Sequence, residues 1–165
     1  MDDASAAELF ERHHLALFRY VYRLTRRRDV AEDVVQDVFV RVVRGVEHYR
    51  PTGRDAAWLF MITRRLLMDR QRMVSRRPPE SGADAEPRAG ASQELTVALS
   101  EALAAVPDTE REPFLLREVG GLSYDEIASV CDSTIDSVRS RIYRARMRLR
   151  AALSTDTRVQ IGTTS

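Results

Sequence analysis

The chain contains no lysine, and all 26 of its basic residues are arginine. A GC-rich genome accounts for that usage as readily as function does, although arginine's planar fork also suits bidentate contact with phosphate. Cysteine is nearly absent too. Cys131 stands alone, which excludes an intramolecular disulfide framework and any multi-cysteine zinc site, and fits a reducing compartment. Apolar runs are short: the one around WLFMI falls far below the roughly 20 residues needed to span a bilayer. The opening MDDASAAELF is acidic and lacks the basic-then-apolar order of a secretion signal, so a cytoplasmic location is expected. There is no glycine-rich phosphate loop, no metal-spaced His/Cys cluster and no nucleophile–base set, and the adjacent pair His13–His14 cannot converge on one site from a helix. The chain reads as a non-enzyme without metal or cofactor.

What is present is ordinary for a folded protein: 165 residues, 44% apolar and 31% charged. The formal net charge of +1 hides a polarised distribution. Residues 95–136 hold nine acids against two arginines, and the stretch VRSRIYRARMRLR that follows holds six arginines and no acid. On a helix, Val138, Ile142, Ala145 and Leu149 fall on one side as a core-facing stripe, the arginines flank it, and Ser140, Tyr143, Arg144 and Met147 lie opposite. That opposite face is hydrogen-bonding, aromatic and cationic at once.

Almost every periodic segment reads as helix, so the expected fold class is all-α, with two small helical domains joined by a flexible linker. The first helix is expected over 4–26, with Leu9, His13, Leu17, Tyr20, Val21 and Leu24 on one stripe and His13 packed rather than ligating. Asp29 is a plausible N-cap with Glu32 in the capping-box position, opening a helix that runs through Val42 to a stop at Gly45. EHYRPTGR reads as a loop, and Asp55 can cap a third helix reaching Met73. In that helix Trp58, Ile62, Leu66 and Met73 are expected to face the core, and Phe60, Arg64, Leu67 and Gln71 to face away. The boundaries are 5–73 for the first domain, 74–94 for a linker rich in Pro, Gly, Ala and Ser, 95–152 for the second domain and 153–165 for a disordered tail. Thr109 and Glu112 form a capping box for a helix that stops at the GG pair.

Two stretches carry function. GLSYDEIASVCDSTIDSVRSRIYRARMRLR has the pattern of a helix-turn-helix: Ser123 and Glu126 form a capping box, Leu122 can staple to Ile127, Cys131 and Asp132 fill the turn, and Ser133 or Thr134 caps the second helix. Its arginines are placed to meet DNA phosphates. Cys131 reads as packing rather than a redox switch. In DVAEDVVQDVFVRVVRG, Val34, Val35, Val38 and Val42 face inward while Glu32, Asp33, Gln36 and Asp37 gather on the other side. Asp33 and Asp37 repel at i,i+4 spacing, so an acidic face held there points to a basic protein partner. Between Arg64 and Arg77 the balance reverses, with six arginines against Asp69 alone. The first domain thus offers an acidic docking face and a basic nucleic-acid face.

AEDVVQDVFVRV, WLFMITRRLLMDRQR and LREVGGLSYDEIASVCDSTIDSVRSRIYRARMRLR, in that order, resemble the extracytoplasmic-function (group IV) sigma factors of the sigma-70 family of bacterial RNA polymerase. The resemblance implies an alternative sigma factor that directs transcription initiation. Glu32, Asp33, Gln36 and Asp37 would dock on the clamp helices of core RNA polymerase. Tyr49, Arg50, Arg54, Arg64 and Arg65 would engage the promoter minus-10 element, and Arg139, Ser140, Tyr143, Arg144 and Arg146, with Arg117 in support, the minus-35 element. The surface around Leu103, Leu115 and Leu116 would meet the polymerase flap, with most of those side chains packed in the core. Asp136 would cap the recognition helix. An anti-sigma factor is the implied regulator. The alternative is a free-standing helix-turn-helix regulator whose first domain senses or dimerises.

Overall fold

The computed structural model describes residues 3–45, 53–74 and 93–161. Among them it places seven α-helices and no strand: α1 (Asp3–Thr25), α2 (Arg28–Val43), α3 (Asp55–Val74), α4 (Gln93–Ala105), α5 (Asp108–Glu118), α6 (Tyr124–Val130) and α7 (Ile135–Ile161). Helices α1–α3 pack together, α7 lies against α4, α5 and α6, and further contacts join α1 to α4 and α5, and α3 to α6.

The stripe of α1 is buried at Leu9, Leu17, Tyr20 and Val21, and His13 is half-buried beside it. Burial and the Arg12 guanidinium hold the His13 imidazole below its ordinary pKa, which keeps the ring neutral and packed. The helix ends where Arg26 takes a left-handed φ of +56°, its N–H donating to Tyr22 O at 2.7 Å. The next helix departs from the sequence expectation. Its N-cap is Arg27, with no side-chain cap, and Asp29 sits inside the first turn, paired with Arg27 at 2.6 Å. A carboxylate there gains from the helix dipole without capping, and Glu32 is drawn to Arg28 at 2.9 Å instead of back to the backbone.

Helix α3 differs more. Ile62 and Leu66 are buried as expected, but so are Leu59, Phe60, Thr63 and Leu67, whereas Met73 is exposed. Phe60 and Leu67 do not face away, because the C-terminal half lies over that side of the helix. Phe60 meets Tyr20 edge-on at 5.2 Å between ring centroids and lies so close to Gly120 that a Cβ there would stand 3.0 Å from its ring. The buried side chains of both halves form one apolar cluster rather than two separate cores.

The same packing redirects Glu112. Helix α5 starts from an extended Pro107 with no side-chain cap, so the Thr109–Glu112 box does not form. Glu112 Oε1 accepts instead from Tyr20 OH at 3.1 Å and from Arg64 Nε at 2.6 Å. At the other end of the chain, the expected disordered tail continues α7 to Ile161. Ser154 and Thr155 donate their hydroxyls to Arg150 O and Ala151 O one turn back, which accommodates both residues within the helix.

Candidate nucleic-acid and protein-docking surfaces

The helix-turn-helix is assembled by local chemistry. Gly121 closes α5 at φ +66°, and Leu122, buried, leads into Ser123, whose hydroxyl accepts from Glu126 N at 3.2 Å while Ser123 N donates to Glu126 Oε2 at 2.9 Å. Both halves of the expected capping box are present. Asp132 takes the left-handed φ of +50° foreseen for the turn, and Ser133 N donates to Ala128 O at 2.9 Å. Thr134, not Asp136, caps α7: its Oγ1 accepts from Ser137 N at 3.2 Å, while Asp136 lies one residue inside the helix and reaches Arg139 at 3.8 Å. The cap is taken by the residue just before the helix, where a short hydroxyl reaches the third N–H.

All four residues of the α7 stripe, Val138, Ile142, Ala145 and Leu149, are buried. Opposite them Ser140, Tyr143 and Met147 are exposed, Tyr143 by 64%. The arginines divide between the two flanks. On one, Arg144 and Arg148 close on Glu110 of α5 at 3.0 and 2.7 Å. On the other, Arg146 pairs with Glu118 at 2.8 Å, and Arg139 lies 5.9 Å from the centre of the Tyr124 ring. Arg117 shares that ring at 5.1 Å and donates to Leu122 O at 2.8 Å, which fixes it in the turn. The acids missing from the arginine stretch are supplied from α5, a pairing that no spacing within the stretch could reveal. Tyr124, between two guanidinium groups, was not singled out by sequence reasoning; its place as the first residue after the Ser123 cap was the available signal.

In the N-terminal half, Glu32, Asp33, Gln36 and Asp37 are all exposed on one face of α2. The repulsion between Asp33 and Asp37 is offset by Arg70 of α3, which reaches Asp37 at 2.8 Å and Asp33 at 3.8 Å. Beside that face runs a groove of about 630 Å³ between α1 and α2, lined by Phe10, Leu15, Phe18, Val35, Phe39 and Val40 and rimmed by Glu32 and Gln36. Sequence reasoning missed it because Phe10, Leu15 and Val40 lie off the buried stripes.

The predicted minus-10 residues are not gathered on one open surface. Tyr49 and Arg50 lie outside the described residues. Arg54 reaches Asp125 of α6 at 3.6 Å, Arg64 is held by Glu112, and Arg65 is exposed with Nη2 3.6 Å from Met61 Sδ. Leu103, Leu115 and Leu116 are buried in the core, as expected for most of them, and so leave no flap contact to these side chains. Burial pushes the Cys131 thiol up to about 12, helped by the charge of Glu112, so it is protonated and packed. Among the described residues no group of His, Cys, Asp and Glu is placed to hold a metal ion, and no helix is long and apolar enough to cross a membrane.

The chain matches two family patterns, sigma-70 region 2 over residues 9–77 and sigma-70 region 4 over residues 96–149. It is 34% identical over 157 residues to the ECF RNA polymerase sigma factor SigE of Mycolicibacterium smegmatis, an alignment covering 89% of this chain and 61% of that protein. It is 30% identical over 147 residues to the ECF RNA polymerase sigma factor EcfG of Rhodopseudomonas palustris, covering 86% and 81%. Among solved structures, the sigma factor RpoE in complex with the anti-sigma factor NepR from Bartonella quintana superposes with a TM-score of 0.78 at 27% identity, covering 91% of this chain and 97% of that one.

Proposed function

Since the chain belongs to the extracytoplasmic-function sigma factors of the sigma-70 family, we propose that it acts as an alternative sigma factor of group IV. It joins core RNA polymerase in the cytoplasm and selects promoters as an initiation factor rather than an enzyme. The observation that carries this reading is α7. Its exposed face of Ser140, Tyr143 and Met147 lies between two arginine flanks and is presented by a capped helix-turn-helix. A helix so placed reads base edges from its exposed face and phosphates from its flanks. Residues 95–152 then recognise the minus-35 element through Arg139, Ser140, Tyr143, Arg144 and Arg146, with Arg117 bracing the turn.

Residues 5–73 supply the other two activities, with 74–94 as the connection. Glu32, Asp33, Gln36 and Asp37 take the clamp helices of the polymerase, and the apolar groove beside them gives that contact a dry centre. Tyr49, Arg50, Arg54, Arg64 and Arg65 engage the minus-10 element, which requires Arg54 and Arg64 to leave Asp125 and Glu112. As RpoE of Bartonella quintana is crystallised with NepR, an anti-sigma factor is the expected regulator. Contact with the polymerase flap falls to the exposed surface of residues 95–152, since Leu103, Leu115 and Leu116 are committed to the core.

The test is reconstituted transcription with the purified chain, core polymerase and genomic fragments, beside an Asp33→Ser/Asp37→Ser variant that spares Arg70 a like-charge clash. Discrete start sites with the wild type and loss of polymerase binding in the variant support both assignments. A chain that binds specific DNA alone with full affinity and never redirects polymerase would instead be a free-standing regulator.

A further inference from the structure

Glu110 lies in the first turn of α5 and is only 6% exposed. A carboxylate taken out of water requires compensating donors, and these come from α7: Arg144 Nε donates to Oε1 at 3.0 Å and Arg148 Nε to Oε2 at 2.7 Å. The arrangement is one-sided. The carboxylate is enclosed, while both arginine side chains remain 53% exposed. Each arginine spends only its Nε here, and neither has another acceptor among the described residues, so both terminal nitrogens of each guanidinium stay open to a ligand. The two arginines are one helical turn apart, which holds them about 6 Å apart along the axis.

An exposed arginine ordinarily samples many rotamers and must give them up to bind an anion. Here that ordering is already done by a residue from another helix. We propose that Glu110 is a positioning residue for promoter DNA: it presets Arg144 and Arg148 so that their terminal nitrogens meet backbone phosphates beside the groove that α7 enters. This rests on the assignment of α7 as the recognition helix. It goes further by giving a role in DNA binding to an acid that does not touch DNA, and by adding Arg148 to the contacting set.

The idea makes a prediction whose sign is opposite to that of charge alone. Glu110→Gln removes a negative charge near DNA, so a purely electrostatic view has it tighten binding. Preorganisation requires the reverse, because a glutamine amide presents one acceptor and one donor group where two acceptors are needed, and at least one arginine is released.

The experiment uses holoenzyme assembled from the full chain and core polymerase, on a promoter fragment recovered by the wild type, with protection of the upstream duplex read by hydroxyl-radical footprinting across a salt series. Wild type, Glu110→Gln, Arg144→Ala/Arg148→Ala and the triple variant are compared, with thermal melting as a check on folding. Glu110→Gln is expected to weaken upstream protection roughly tenfold and to lower the salt slope by up to about 1.8, two phosphates' worth. In the Arg144→Ala/Arg148→Ala background it should change nothing further, whereas a merely structural role would persist there. Binding equal to or tighter than wild type, or the same loss in both backgrounds, overturns the proposal. If Arg144→Ala/Arg148→Ala itself leaves upstream protection intact, this proposal falls while the recognition-helix assignment stands on Arg139, Ser140, Tyr143 and Arg146; loss of all upstream protection in an Arg139→Ala/Tyr143→Ala variant is the separate check on that assignment.

Discussion

Glu112→Ala should separate the two halves of the molecule. Its carboxylate oxygen serves Tyr20, which is fully buried, and Arg64, and the Glu112 and Arg64 side chains are only 23% and 25% exposed. Removing it strands a buried hydroxyl, which costs ~1–3 kcal/mol, and a guanidinium whose fully buried counterpart would cost ~3–5 kcal/mol. Partial exposure and the shared acceptor reduce the sum, so about 3 kcal/mol is a fair expectation, or on the order of a hundredfold in the balance between closed and open arrangements. Energy transfer between dyes on Glu11→Cys and Ser129→Cys, both exposed positions, would report it as a broadened and lengthened distance distribution. The same substitution in an Arg64→Ala background should have a clearly smaller effect, since the pair is then already broken. An unchanged distance distribution in Glu112→Ala, or identical effects in both backgrounds, would refute the view that this carboxylate fastens the halves together.

Four further outcomes follow from the same geometry. Cys131, its thiol pushed up to about 12, should react with Ellman's reagent at pH 8 on the order of a thousandfold more slowly than a free thiol; reaction at the free rate would contradict its burial. Gly120→Ala places a Cβ 2.7 Å from Leu116 O and 3.0 Å from the Phe60 ring, so it should lower stability by about 1–3 kcal/mol in a denaturant titration. Arg26→Gly relieves a left-handed residue at φ +56° and should raise stability by about 1 kcal/mol. Burial, then the charge of Glu112, raises the Tyr20 phenol well above its ordinary value. Its contribution is complete below pH ~10, where the unfolded phenol is still protonated, and declines as pH rises from there towards the folded value. Wild type should therefore lose stability above pH 10 more steeply than Tyr20→Phe, measured by thermal midpoint.

The start and the buried stripe of helix α7 were legible because what shapes them is local: a stripe at four, three and four, a turn residue that tolerates positive φ, and a hydroxyl just ahead of the first turn. The capping box at Ser123 was legible for the same reason, since both partners lie three residues apart. What could not be read are pairings between distant segments. Glu112 has the spacing of a capping residue, and only the approach of α1 and α3, 92 and 48 residues away in sequence, decides that it is used elsewhere. Phe60 and Leu67 mark a second apolar face on α3 that the sequence displays but does not explain until the C-terminal half covers it. Likewise the arginines of α7 look unopposed in sequence, and their counterions arrive from α5. The shared exposure of Glu32, Asp33, Gln36 and Asp37 on α2 follows from their spacing, while the groove beside them does not, because a groove is a property of two helices rather than of either periodicity.

Arg70 binds two of those four residues, Asp33 and Asp37, from the neighbouring helix. A basic partner that docks on the acidic face thus meets carboxylates already in use and must displace an internal cation. That exchange sets Arg70 loose on the basic helix at the moment of docking. Reciprocity then holds in the other direction, since an anion that draws Arg70 away makes Asp33 and Asp37 better acceptors for the partner. With half-exposed pairs contributing ~0.2–1 kcal/mol each, the two binding events reinforce one another by at most about fivefold per pair. Were a basic partner to dock on α2 and an anion on α3, as proposed, the two affinities would be linked through a single guanidinium.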